Sequence, residues 1–187
     1  MWSLAILLRH VGLAMRLQAA VPWLAPDVAY THAAAATTAE SAQIPAELLL
    51  GIAFVESRFD ATAVSRVEGG RRLTGRYLPT TAPARLDPRG SLFCGPLQTF
   101  ASSWSTCVQM RNLDAGYAAA TTEIGQWLRD PRVHGNTVRA LAGHGCGNFG
   151  AKTGVCNGYP ERVLTITRQL RKLPAHHETP RSVVASS

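Results

Sequence analysis

Between Leu48 and Val55 the chain reads Leu-Leu-Leu-Gly-Ile-Ala-Phe-Val and then meets one carboxylate, Glu56. Wound as a helix, this stretch puts Leu48, Ile52 and Val55 on one face, and Leu49, Ala53 and Glu56 on the next. Pro45 suits the first helical turn and Glu47 the positive end of the dipole, so a helix is predicted from there to about Arg58. Upstream, Leu4, Leu7, Leu8, Val11, Met15 and Ala19 recur at helical spacing and predict an amphipathic helix that Pro22 and Pro26 end. Residues 27–40, rich in Ala and Thr, read as a short helix or a lead-in. Downstream, Leu97, Phe100, Trp104 and Val108 predict a helix over Gly95–Met110. Leu113, Tyr117, Ala120, Ile124, Trp127 and Leu128 predict another, stopped at Asp130-Pro131. Asn136 suits the cap of a short helix through Leu141, and Val163, Ile166, Leu170 and Leu173 mark a last one from Tyr159.

Two stretches break the periodicity. Residues 66–93 are punctuated by Gly69-Gly70, Pro79, Pro83, Pro88 and Gly90 and read as an insertion of loops with a hairpin around Leu73–Leu78. Gly143–Gly158 carries six glycines and two cysteines and reads as a stapled loop. Pro174–Ser187 is polar and reads as a mobile tail. The domain reading is therefore an N-terminal helix and lead-in over 1–40, a main domain over 41–173, and a tail over 174–187. The fold class is mainly α, with a loop or hairpin insertion set against the helices.

Composition changes this picture in three ways. The chain has 187 residues and a net charge of +7, which suits one domain with appendages and favours a polyanionic partner. The basic residues are scattered and not interleaved with aromatics, so charge is the only feature that hints at nucleic acid, and none is expected as a partner. The four cysteines, Cys94, Cys107, Cys146 and Cys156, form two sequence-local pairs. Disulfides Cys94–Cys107 and Cys146–Cys156 are expected; a zinc site on His144, Cys146 and Cys156 is the rival, and four reduced thiols the plainest alternative. Arg9 and Arg16 interrupt the first apolar run, which makes it a poor membrane span, and no basic residue precedes it as a signal peptide requires. The first helix is expected to pack on the domain, with a membrane surface or an assembly partner as the other occupants of its apolar face.

Glu56 is the residue with chemistry in view. A carboxylate at the edge of a buried helix loses hydration, which favours the protonated form a general acid needs. The plain alternative is a first solvated residue after the helix turns outward. The ten residues from Glu56 onward tip the choice. Glu56-Ser57-Arg58-Phe59-Asp60-Ala61-Thr62-Ala63-Val64-Ser65 resembles the signature of soluble lytic transglycosylases, E-S-x-F-x-P-x-A-x-S, with Ala61 in place of the proline. Gly95-Pro96-Leu97-Gln98 resembles that family's G-L-M-Q, and Asn112-Leu113 with Gly116 its N-I-x-x-G. Ala140–Gly147 is similar to A-L-A-A-Y-N-A-G, with His144 at the Tyr and Gly145 at the Asn. Tyr159-Pro160-Glu161-Arg162-Val163 resembles Y-x-x-R-V. The motifs stand in the family's order from about 44 to 172.

The resemblance implies a lysozyme-like α+β fold and cleavage of peptidoglycan glycan strands, with no cofactor and no metal. It implies that Glu56 protonates the oxygen of the β-1,4 bond from N-acetylmuramic acid to N-acetylglucosamine. Glu56 then accepts a proton from the C6 hydroxyl, which closes on C1 to give a 1,6-anhydro sugar. Ordinary glycosidases use two carboxylates; here the substrate supplies the nucleophile. Ser65, Gln98, Tyr159 and His144 would hold sugar or orient Glu56, against plainer roles as a loop cap, a surface amide, a core Tyr and a satisfied structural His. The implied location is extracytoplasmic: periplasm, cell wall or phage particle. A hydrolase using Asp60 or Asp87 as second carboxylate, and a non-catalytic wall-binding module, are the alternatives. Glu68 and Asp87 are the acids that the 66–93 insertion could otherwise supply.

Overall fold

The computed structural model describes residues 4–68, 71–76 and 91–173. The helices in order are α1 (Leu4–Ala20), α2 (Pro26–Ala39), α3 (Ala46–Ser57), α4 (Trp104–Met110), α5 (Leu113–Arg129), α6 (Thr137–Thr153) and α7 (Tyr159–Lys172). The strands are β1 (Ala63–Glu68), β2 (Arg71–Arg76), β3 (Ser91–Cys94) and β4 (Thr99–Ala101), all inserted between α3 and α4. They form one antiparallel sheet in the order β2-β1-β3-β4, with Val64 opposite Cys94 and Cys94 opposite Thr99. The protein is thus mainly helical with a small sheet.

Helix α3 is the centre of the main core. Ala46 and Leu48 through Ala53 are all buried, so the helix is covered on every side. Helices α2, α5 and α7 supply that cover, and α1 packs across α2 and α7. The tightest approach is to α7. A methyl group at Gly51 would stand 2.7 Å from Thr167 Oγ1 and 2.8 Å from the Val163 carbonyl oxygen, so glycine is what lets the two helices meet.

The helix starts follow local chemistry. The Asn112 side chain accepts from the Ala115 amide, Asn136 from Arg139 and Ser103 from Thr106. The sheet and α4 enclose a second, smaller core of Val64, Leu92, Cys94, Ala101 and Cys107, closed by the Cys94–Cys107 disulfide. The other disulfide joins Cys146 to Cys156. Both expected pairings are therefore present, and neither Cys146 nor Cys156 is left to hold zinc.

Several expectations need correction. Residues 27–40 take the helical one of their two expected forms: α2 is a 14-residue helix whose Ala29, Ala33 and Ala36 are buried. Small side chains there let α1, α3 and α5 close around it. The predicted helix over Gly95–Met110 starts only at Trp104. Its first residues make a turn and β4, because Gly95 (φ 74°) and Gln98 (φ 50°) adopt left-handed conformations a helix excludes. Conversely, α6 does not stop at Leu141. It runs through the glycine-rich stretch and breaks only at Gly147, with φ 60° and ψ −146°. The hairpin of the insertion is β1–β2, placed earlier than Leu73–Leu78, with Ala63 opposite Arg76. Residues 77–90 and the tail expectation over 174–187 lie outside the described residues. Helix α1 packs on the domain through Leu13, Ala14 and Leu17, and leaves Leu4, Leu8, Val11 and Met15 exposed. Among the described residues no helix is long and apolar enough to cross a membrane.

The Gly51 contact gives a direct test of the α3–α7 packing. Gly51→Ala gains helix propensity but forces a methyl group against backbone, and overpacking of this kind costs about 1–3 kcal/mol. In thermal melts the midpoint should fall by roughly 2–4 °C for each kcal/mol. A raised midpoint would mean that the helices have room to separate.

Candidate functional site

Glu56 occupies the last turn of α3, and its side chain is 7% exposed. The chain then reverses sharply. Arg58 (φ 56°) and Phe59 (φ 67°) both sit in the left-handed region, which costs on the order of 1–2 kcal/mol for each non-glycine residue. Phe59 anchors the turn: its ring is buried, edge-on to His32 at 5.1 Å and near Phe54 at 6.2 Å. Ser57 ties it sideways, since its hydroxyl donates to the Pro96 carbonyl oxygen at 2.8 Å. Phe59 thus anchors the reversal after Glu56, and Ser57 ties it to the 95–98 turn.

That turn is locked by Ser65 and Gln98. Ser65 is fully buried in β1, and its hydroxyl donates to Gln98 Oε1 at 2.5 Å. Gln98 Nε2 donates to the Gly95 carbonyl at 2.9 Å and the Ala63 carbonyl at 3.0 Å. Both amide hydrogens are therefore spent on backbone. Gln98 faces the cleft, whereas Ser65 stands behind it.

The cleft has a volume of about 420 Å³. Val55 and Glu56 of α3, Gln98, Gly145 and the Cys146–Cys156 disulfide, then Asn157, Tyr159 and Arg162 line it. A second groove of about 420 Å³ continues from it between α3 and α7, and Val55 and Arg162 border both. Gly145 is required where it stands. A Cβ there would meet Cys156 Sγ at 2.9 Å and the Tyr159 ring at 3.0 Å. A larger side chain at this position would not fit.

His144 does not line the cleft. Its side chain is 2% exposed and lies behind Glu56. Nδ1 is 2.8 Å from Glu123 Oε1, and Nε2 is 3.1 Å from the Leu97 carbonyl oxygen and 3.8 Å from Glu56 Oε1. Burial alone would push the imidazole down. The hydrogen bond and charge of Glu123, then the charge of Glu56 and the Leu97 carbonyl, outweigh it and raise His144 above its usual value. Burial alone would likewise push Glu123 up. His144, the Phe100 amide and Trp127 outweigh it and leave Glu123 below the ordinary carboxylate range.

The structure therefore gathers Glu56, Gln98 and Tyr159 at one cleft, with Ser65 and His144 as supports beneath. Asp60 is elsewhere engaged: its Oδ1 accepts from the Thr62 amide at 2.8 Å and hydroxyl at 2.7 Å. Asp87 lies outside the described residues, and of Glu68 only its place at the end of β1 is described. Glu123, Asn157 and the disulfide wall went unnoticed in the sequence. A carboxylate on the buried side of α5, four residues before Trp127, was the available signal for Glu123; nothing local marked Asn157. No protein-family model, curated protein or solved structure matches this chain.

The Glu123–His144 pair has a defined stability window. His144 is raised in the fold, so its contribution is complete below its usual 6.5 and fades as pH climbs through the raised value. Glu123 is lowered, so its contribution is complete above its usual 4.5 and fades as pH falls through the lowered value. His144→Gln should therefore cost most thermal stability between about pH 4.5 and 6.5 and progressively less on either side. A deficit independent of pH would show that packing, not charge, holds the ring.

Proposed function

We propose that the protein is a peptidoglycan lytic transglycosylase with a lysozyme-like fold and Glu56 as its sole general acid/base. The observation that carries this reading is the cleft itself. Glu56 is the one carboxylate among its described lining residues, and it is nearly buried at the end of a helix that cannot move without disturbing the core. A hydrolase that retains or inverts configuration needs a second acid roughly 5–10 Å across the sugar. Asp60, the nearest acid in sequence, is committed to Thr62. The substrate-supplied nucleophile removes that need.

In this reading a protonated Glu56 gives its proton to the glycosidic oxygen joining N-acetylmuramic acid to N-acetylglucosamine, and the C1–O bond breaks. The Glu56 carboxylate then takes the proton of the muramic C6 hydroxyl while O6 bonds to C1. No water is consumed, and Glu56 ends as it began. Gln98, Asn157 and Tyr159, which line the cleft, are the groups that would meet sugar. Arg162 sits at the mouth, its Nη1 held by the Asn157 carbonyl at 2.7 Å. The net charge of +7 suits a polyanionic wall. Two disulfides suit an oxidising, extracytoplasmic setting.

Mass spectrometry of muropeptides released from purified peptidoglycan tests this. Wild-type protein should yield anhydro-terminated fragments, one water lighter than hydrolysed ones. Glu56→Gln should lower release by about 10²–10⁴-fold. Reducing-end fragments would replace the lyase reading with a hydrolase. Absence of release from folded wild-type protein would favour a wall-binding module.

A further inference from the structure

The buried ring behind the carboxylate carries a second assignment. We propose that Glu123 and His144 form the positioning pair of Glu56, with His144 held as a buried imidazolium whose charge faces the Glu56 carboxylate. The charge assignment comes from the acceptors around the ring. A backbone carbonyl only accepts, so Nε2, 3.1 Å from the Leu97 oxygen, carries a proton. A carboxylate accepts, so Nδ1, 2.8 Å from Glu123 Oε1, carries one too. A neutral pair would need Glu123 to hold the proton. The Phe100 amide 3.4 Å from Glu123 Oε2 is a donor, which favours the ionised form instead. The titratable groups against the ring, among the described residues, are Glu56 from α3, Glu123 from α5 and Tyr159 from α7, whose ring centre is 6.2 Å away. Glu123 favours a charged ring throughout, and Glu56 adds to it once its proton has gone to the glycosidic oxygen.

The consequence for catalysis rests on the transglycosylase reading; the buried charge does not. When the glycosidic oxygen takes the proton, negative charge appears on Glu56, whose Oε1 is 3.8 Å from Nε2. A cation already in place, in a site closed to water, stabilises that charge without reorganisation. Glu56 is thereby kept ready to accept the C6 hydroxyl proton. Glu123 touches no substrate. Its part is to keep the ring charged and to hold its plane, and Leu97 fixes the far nitrogen.

Nitrogen NMR of the histidine rings across pH 5–9 tests the charge without any need for activity. Both His144 nitrogens should be protonated at pH 7 in wild-type protein. Glu123→Gln and, separately, Glu56→Gln should each let the ring lose its proton at lower pH. A neutral His144 at pH 7, or a titration that neither substitution moves, would overturn the assignment. The pH profile of muropeptide release tests the consequence. The ring is charged below its pKa, so removing the Glu123 charge should carry the alkaline limb toward lower pH by about one unit. Glu123→Asp, which keeps the charge, should restore its position. A Glu123→Gln profile that is lowered without moving would reduce the pair to a structural role. If wild-type protein releases nothing while the ring titrates as expected, it is the transglycosylase reading that fails and the charge assignment that stands.

Discussion

From Ala46 to Ala53, helix α3 turns apolar side chains outward in every direction, so it is stable only where other helices enclose it. That requirement sets the rest of the molecule. Helices α2, α5 and α7 wrap α3, and α7 comes close enough at Gly51 to exclude even a methyl group. The enclosure ends at Glu56, where the chain must turn out of the core within two residues. Arg58 and Phe59 adopt strained left-handed conformations to do so, and the buried Phe59 ring makes that strain tolerable. The carboxylate is therefore fixed by the packing of a whole helix, and its position is insensitive to motions of the surface loops.

A second constraint is electrostatic. Burying a carboxylate next to a buried histidine is unfavourable unless the charges are arranged. Here α5 contributes Glu123 and α6 contributes His144, so the ring lies between two carboxyl groups, Glu123 and Glu56. The small residues of α6 make this possible. Gly145 lets the helix lie against Tyr159 and the Cys146–Cys156 disulfide, which in turn walls the cleft. Positions 144 and 145 are thus coupled: a histidine lies beneath the carboxylate, and a glycine stands where a Cβ would meet Cys156 and Tyr159.

What the sequence made legible depends on range. Helices α3, α5 and α7 and the cap at Asn136 depend on neighbours within a few residues, and the expected helix spans lie close to the observed ones. Both disulfides were legible because each pair is close along the chain. The part of α6 from Gly143 onward reads as a loop because glycine count masks a helix whose glycines serve close packing. The Gly95–Gln98 turn reads as helix from its apolar period because what fixes it is distant: Ser57 and Ser65 bond to Pro96 and Gln98 across 39 and 33 residues. Glu123 and His144 lie 21 residues apart on different helices, so no local pattern pairs them. Glu56 is legible from its own helix; the Glu123–His144 pair beneath it is not.

The claim at the centre of this account is that the glycan strand is cut at Glu56, in the cleft between the end of α3 and the 95–98 and 156–159 turns. A crystal structure of Glu56→Gln with a tetrasaccharide of alternating N-acetylglucosamine and N-acetylmuramic acid tests it most directly. The account predicts sugar against Gln98, Asn157 and Tyr159, with the scissile oxygen about 3 Å from the residue 56 side chain. An oligosaccharide bound elsewhere, or bound there with that oxygen turned away from residue 56, would contradict it.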